Sequence, residues 1–270
     1  MSKLNKLLET VSKEEMIKLY NETQSTYTIA EKYGVSSQTV TRAMDIYGIE
    51  RNGNKGNRKH NFNDRYFEVI DTEEKAYWLG FIMADGCVYK GTGETYRLQI
   101  NLKYDDIAHL NKFQKAIKSD YQVAVKEVGG AKVAQLKVNS TKLCKDLIAL
   151  GVTERKSLVC QMPNLPYELI RHFIRGYFDG DGCISLSVND RLRKSVSIVG
   201  GELMLRSINE HLGLTLREVQ GKSVHEIYSH DSNKMIEIYH YLFDDSTVYL
   251  SRKKRSYEIV EYILNSPLME

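Results

Sequence analysis

A chain of 270 residues, 42% of them hydrophobic, can bury one or two sizeable cores, and no apolar run in it approaches the roughly 20 residues of a membrane span. Its four cysteines, Cys87, Cys144, Cys160 and Cys183, form no CxxC pair and no signal-peptide pattern precedes them, which argues against a zinc ribbon or a disulfide scaffold. The formal net charge is only +3 but is unevenly spread: Arg51, Lys55, Arg58, Lys59 and Arg65 face one acid, Asp64, and Arg252-Lys253-Lys254-Arg255 forms a second basic cluster, each suited to a polyanion or to a solvated face.

Residues 1–50 read as a separate all-α unit. Ser12 caps a helix to about Asn21, with Glu15 at the third position of a capping box. Thr26 to Tyr33 is a second helix, Gly34-Val35-Ser36 a tight turn, and Ser37 to Tyr47 a third helix ended by Gly48. Ile29, Ala30, Val35, Val40 and Met44 supply a small trihelical core. The run from Ile29 to Ser36, followed by Thr39-Val40-Thr41-Arg42, resembles a helix-turn-helix DNA-binding unit. That resemblance implies a third helix in the major groove, with Ser36, Ser37, Gln38, Thr41 and Arg42 facing bases or phosphates. The plainer alternative is a helical interaction module.

Residues 51–66 are polar and poor in core formers. They read as a flexible basic linker whose Arg51, Lys55, Arg58 and Lys59 would add phosphate contacts while tethering two binding modules.

From Phe67 the chain reads twice as helix, two strands, helix, two strands, helix, over 67–162 and 163–270, with Pro163 and Pro166 at the junction. In the first copy Glu73 to Ala84 is helical and Tyr96 to Lys103 alternates strictly. Tyr96, Leu98, Ile100 and Leu102 line one face, and Arg97, Gln99, Asn101 and Lys103 line the other. Asp105 to Lys118 is a helix, Tyr121 to Val128 and Lys132 to Asn139 form a hairpin around Gly129-Gly130, and Ser140 caps a helix to Leu150. Gln135 and Lys137 extend the polar face. The second copy repeats the order with a helix over Leu169 to Gly180, strands near Ile184 to Val188 and Ser195 to Val199, a helix from Glu202 to Leu212, a hairpin around Gly221 and a helix from Ser232 to Phe243. Ser185, Ser187, Asn189, Arg193, Ser195 and Ser197 occupy its alternate positions. Each polar face is either ordinary solvent exposure or a surface able to contact bases and phosphates.

Trp78 to Gly86 and Ile174 to Gly182 repeat one pattern 96 positions apart. Each is an apolar helical run with small residues four apart (Gly80 and Ala84, Gly176 and Gly180), then an Asp, then a Gly suited to ending the helix. Residues four apart share a helix face, and small ones there let two backbones meet. Asp85 and Asp181 would then stand at adjacent helix C-termini, where the helix dipoles and mutual repulsion disfavour anions. A divalent cation between them relieves both, and oxygen ligands select Mg²⁺, Mn²⁺ or Ca²⁺.

On these motifs, over roughly residues 67 to 260, the chain resembles the LAGLIDADG homing endonucleases in their two-motif, single-chain form. The resemblance implies an α+β fold of two pseudo-symmetric αββαββα repeats forming a DNA-binding β-saddle, beside the small all-α helix-turn-helix domain. It places Asp85 and Asp181 at the eighth motif position as catalytic metal ligands, assisted by the backbone carbonyls of Ala84 and Gly180. Asp179 falls at the sixth position, where the first copy carries Met83, a tolerated departure. The Arg-Lys pair of Arg155-Lys156 recurs as Arg252-Lys253 at an offset of 97. The family's basic residue near each metal centre points to Lys156 and Lys253 as groups that polarise water or stabilise the phosphorane; a phosphate contact or a helix-end charge is the alternative. Gln99 or Asn101 and Ser195 or Ser197 are candidates to orient the attacking water.

Phosphodiester hydrolysis needs an activated water, charge neutralisation and a stabilised leaving oxygen, all of which bridging metals supply. The expectation is therefore a monomeric, Mg²⁺-dependent endonuclease, with Mn²⁺ substituting and Ca²⁺ binding without supporting cleavage. It would make a double-strand break at a long asymmetric duplex target, without a membrane or small-molecule partner. The setting would be a reducing cytoplasm, in a bacterial or phage-infected cell, or an organelle. Rival readings on the same fold are a non-cleaving transcriptional regulator and an intron RNA maturase.

Overall fold

The computed structural model describes residues 2–23, 25–49, 60–152, 160–188, 192–221 and 223–264. The linker residues Arg51, Lys55, Arg58 and Lys59, together with Lys156 and Asn189, lie outside them. Two compact units result, Met1–Asn61 and Phe62–Glu270.

The first unit is all-α: α1 (Lys3–Thr10), α2 (Lys13–Thr23), α3 (Thr26–Tyr33) and α4 (Ser37–Ile46). Ser2, Ser12, Ser25 and Ser36 each accept an amide hydrogen bond from three residues on, so all four helices begin at a serine cap. The core is larger than the trihelical one expected. Helix α1 adds Leu7 to the buried set of Met16, Ile29, Ala30, Val40 and Met44, and Val35 is only partly buried against them. The Tyr47 hydroxyl lies 3.1 and 2.7 Å from the Leu8 and Val11 carbonyls, tying the end of α4 to α1. The capping box is also only half formed: Ser12 accepts the Glu15 amide at 3.2 Å, while the Glu15 carboxylate accepts from Tyr33.

The second unit is α+β. Its first half runs α5 (Glu73–Asp85), β1 (Gly86–Lys90), β2 (Tyr96–Lys103), a 3₁₀ turn, α6 (Ile107–Ala116), β3 (Ala124–Val128), β4 (Ala131–Asn139) and α7 (Thr141–Ala149). The second half runs α8 (Tyr167–Asp181), β5 (Gly182–Val188), β6 (Leu192–Gly200), α9 (Glu202–Leu212), β7 (Thr215–Glu218), β8 (His225–Ser229), α10 (Ser232–Phe243) and a further helix α11 (Ser251–Leu264). Each half holds one four-stranded antiparallel sheet, in the order β1-β2-β4-β3 and β5-β6-β8-β7. The β3–β4 hairpin turns at Gly129 and Gly130, with φ of 58° and 79°, the two positive values a two-residue type I′ turn requires.

Helices α5 and α8 form the centre. Every residue from Ala76 to Met83 is buried, as in a helix enclosed on all sides. The inner faces of the sheets (Leu98, Ile100, Leu136 and Val138 in one, Val196, Ile198 and Ile227 in the other) join the same core. What lets α5 and α8 meet is the absence of side chains. A methyl at Gly80 would overlap the Phe173 carbonyl oxygen and stand 2.9 Å from the Tyr177 nitrogen; one at Gly176 would overlap the Tyr77 oxygen and stand 2.9 Å from the Phe81 nitrogen. Tyr77 and Phe173, like Phe81 and Tyr177, are 96 residues apart, so each contact is the other's pseudo-twofold mate.

The glycines expected to end the two motif helices do so, without a left-handed cap. Gly86 and Gly182 are extended, with φ of −80° in both, because helix passes directly into strand. Their requirement is room: a methyl at Gly86 would meet the Ile82 oxygen at 2.8 Å, and one at Gly182 the Phe178 oxygen at 2.5 Å.

Gly80→Ala and Gly176→Ala are each expected to lower the stability of the Phe62–Glu270 unit by about 1–3 kcal/mol or more, since the overlapped atoms are backbone and cannot rotate away. Urea denaturation reads this directly, and an unchanged midpoint would mean that the two backbones do not touch.

Candidate active site and nucleic-acid interface

The crossing of α5 and α8 carries their C-termini to one place. Asp85 and Asp181 are both exposed there, and the Asp85 carboxyl carbon lies 3.5 Å from where a β-carbon on Gly180 would stand. Both carboxylates act on the same cation, Lys253, each raising its proton affinity. Burial first, then the charge of the neighbouring Asp181 carboxylate, push the Tyr177 phenol's pKa upward. The donor set here is two carboxylates and helix-end carbonyls, hard oxygens that fit Mg²⁺ or Mn²⁺. Among the described residues no three His, Cys, Asp or Glu side chains gather to hold an ion alone, so further ligands would come from water or a phosphate.

Lys253 is held at this centre but not open to it. Its Nζ donates to the carbonyls of Phe178 (2.7 Å), Gly180 (3.2 Å) and Gly182 (2.6 Å), and the residue is only 6% exposed. The lysine therefore gathers carbonyls at the turn where α8 passes into β5. The Gly180 carbonyl, expected to face a metal, already accepts from it. Burial holds the ammonium's pKa down to about 8, against the raising effect of Asp179.

Beneath the two aspartates runs a buried polar chain that sequence reading did not find. Tyr77 donates to Asp179 Oδ2 at 2.7 Å, and the Leu250 amide donates to the same oxygen at 2.6 Å. With its one hydrogen committed, Tyr77 accepts from His109 Nε2 at 2.9 Å. His109 Nδ1 and Asp179 Oδ1 have no hydrogen-bond partner among the described residues. Burial is the first cause in both titrations: it lifts Asp179 to about 6 and lowers His109 to about 3, the latter helped by the charges of Lys112 and Arg252. The partners are 32 and 102 residues apart, beyond any local pattern.

The outer faces of the sheets carry the polar residues that alternation predicted. On the first, Arg97, Gln99, Asn101 and Lys103 of β2 stand beside Gln135 and Lys137 of β4, with Gln99 opposite Lys137 and Asn101 opposite Gln135. Asn101 Oδ1 accepts from both Gln135 (2.8 Å) and Gln99 (3.3 Å), making a fixed amide cluster. Lys126 of β3 joins this face. Desolvation first, then the like charges of Lys126 and Arg97, hold the Lys137 ammonium below the usual lysine value. On the second sheet Ser185 pairs with Ser195 and Ser187 with Arg193, and Ser197 stands opposite Cys183. Arg217, Glu226 and Tyr228 share that outer face and were not anticipated. In the N-terminal unit Gln38 and Arg42 are exposed on α4, and Ser37 and Thr41 are partly buried. The Ser36 hydroxyl is engaged, accepting the Thr39 amide at 3.2 Å and sharing a 2.9 Å bond with its hydroxyl.

No protein-family profile and no curated protein matches the chain. Solved structures do. The LAGLIDADG homing endonuclease I-GzeII in complex with its DNA target superposes with a TM-score of 0.53 at 12% identity, covering 72% of this chain and 92% of that one. The LAGLIDADG meganuclease I-AabMI bound to uncleaved DNA gives 0.51 at 12%, covering 72% and 90%. I-SmaMI bound to uncleavable DNA also gives 0.51 at 12%, covering 73% and 91%. The chain has the LAGLIDADG fold.

Within the LAGLIDADG fold one equivalent position of the two motif helices pairs an acid with a thioether. Asp179 is fully buried and holds the Leu250 amide, whereas Met83, 96 residues earlier, packs its sulfur 3.7 Å from Cys160 Sγ and its methyl against Gly151. The position is a core position in both halves, filled once by a polar clamp and once by sulfur packing. Met83 thus leaves the placement of Asp85 intact.

His109 sets a pH dependence of stability. Folded, it stays neutral down to about pH 3, while the unfolded chain takes up that proton near the ordinary histidine value of 6.5. Between those values the unfolded state binds more protons, so stability falls as pH falls. His109→Gln is expected to narrow the drop in urea midpoint between pH 7 and pH 4.5, and an equal drop in both proteins would contradict it.

Proposed function

We propose that the chain is a monomeric, divalent-metal-dependent DNA endonuclease that binds a long asymmetric duplex across the outer faces of its two sheets and cuts both strands at the centre. The observation that carries this reading is the meeting of Asp85 and Asp181 at the ends of the crossed helices, between two polar and basic sheet faces.

Asp85 and Asp181 would hold Mg²⁺, or Mn²⁺ in its place, with Ca²⁺ binding without turnover. The bound ion would supply charge neutralisation at the phosphate and an acidified water. Lys253 keeps the end of α8 in place and would add positive potential beside the phosphate. The amide cluster of Gln99, Asn101 and Gln135 is fixed for reading base edges, while Arg97, Lys126 and Lys137 suit phosphates. Arg42 and Gln38 of the N-terminal unit would add a second contact region, with Arg51, Lys55, Arg58, Lys59, Lys156 and Asn189 contributing from the remaining segments. Lys253 favours one alternative, a DNA-binding regulator that does not cut, because all its hydrogen bonds go to backbone carbonyls.

With a duplex selected by binding, Asp85→Asn and Asp181→Asn should each reduce Mg²⁺-dependent cleavage by about a hundredfold or more while retaining binding. Tight binding by the unaltered chain with no cleavage in Mg²⁺ or Mn²⁺ would select the regulator. Removing residues 1–50 should weaken binding and shorten the nuclease-protection footprint while cleavage persists; an unchanged footprint would remove the N-terminal unit from the DNA interface.

A further inference from the structure

The outer face of the second sheet holds one arginine in a restrained pose. Arg217 on β7 stands directly opposite Glu226 on β8. Its Nε and Nη2 both donate to Glu226 Oε2, at 2.9 and 2.6 Å. The guanidinium also lies 4.2 Å from the centre of the Tyr228 ring, two residues along the same strand. Ile227 between them is fully buried, so Arg217, Glu226 and Tyr228 all face outward with Ser197.

These contacts fix both the plane and the rotation of the guanidinium. The carboxylate takes the Nε–Nη2 side, leaving the end-on fork, one N–H from each terminal nitrogen. Arg217 is 57% exposed and Glu226 only 16%, so the fork points out and its anchor lies in the sheet. A fork already ordered loses less freedom on meeting a two-acceptor partner than a free arginine does. Two partners in duplex DNA match it: a phosphate, and the O6/N7 edge of guanine in the major groove. Glu226 decides between them. Its negative charge, one hydrogen bond away, offsets the attraction to a phosphate but costs little against the uncharged guanine edge. Adenine presents an amino donor where guanine has O6, and is rejected. Arg97 on the first sheet is the contrast: it stacks on Tyr89 at 5.3 Å, stands near Lys137 and makes no ion pair among the described residues, a setting for phosphate.

We infer that Arg217 is a specificity-determining residue that reads one guanine in the half-site under the second sheet, with Glu226 and Tyr228 as its positioning residues. The inference rests on the outer sheet faces being the duplex-binding surface.

The test is selection of bound duplexes from a random library by the full chain, unaltered and as Arg217→Ala and Glu226→Gln, with thermal melting to confirm that each variant folds. The unaltered chain should enrich a consensus containing a guanine that Arg217→Ala no longer prefers, its discrimination there falling by roughly tenfold to a hundredfold with other positions unchanged. Glu226→Gln should relax the same position. A uniform loss of affinity across all sequences in Arg217→Ala would make the contact a phosphate contact, and an unchanged consensus would make the trio a surface ion pair; either overturns the inference. Failure of the unaltered chain to enrich any duplex would overturn the DNA-binding reading itself, and this inference with it.

Discussion

Everything at the centre of this molecule depends on two backbones touching. Gly80 and Gly176 leave room for α5 and α8 to cross with carbonyl oxygens where β-carbons would otherwise stand. The crossing brings two exposed carboxylates to the ends of adjoining helices and makes the two halves share one core. Van der Waals packing at such close range is sensitive to a single methyl. The same glycines that define the fold therefore set the spacing of the candidate site.

A centre built this way buries polar groups, among them His172, Arg175, Asp179 and Lys253 of the second half. Arg175 is fully buried, yet its donors reach the Val248 and Leu242 carbonyls, His172 Nδ1 and the Glu73 carboxylate, the last at 2.6 Å. Asp179 clamps the Leu250 amide, and Lys253, three residues on, closes the end of α8. Arg252 reaches back to Asp106 at 2.8 Å, tying α11 to the other half. Removing one member would leave a buried partner unsatisfied, which costs more than the bond contributes. The first half uses Met83 and Cys160 at the corresponding position and needs no such clamp. The pseudo-symmetry is thus strict in the backbone contact and relaxed in the chemistry around it.

The sequence made the repeated motif helices, the strict alternation of β2 and the hairpin at Gly129-Gly130 legible, because each is encoded by residues close in the chain. It hid α1, whose short apolar stripe precedes the first obvious cap, and α11, whose basic start reads as a surface cluster. Gly86 and Gly182 end their helices as the sequence suggested, and only the structure shows that each is there for space and not for left-handed backbone. Arg217, Glu226 and Tyr228 escaped notice since only strand register puts them side by side. The Tyr77–Asp179 bond joins residues 102 apart, and no periodicity reports that. Lys253 was found by repetition, but its three carbonyl partners come from the turn where α8 passes into β5.

In the function proposed above, Asp85 and Asp181 jointly hold one divalent-metal centre because the glycine crossing places them together. Anomalous diffraction from crystals of the chain grown with bound duplex and Mn²⁺ tests it most directly. Manganese density is expected in contact with both carboxylates, and is expected to be lost from that place in Asp181→Asn. Manganese bound elsewhere, or held by one aspartate with the other turned away, would contradict it.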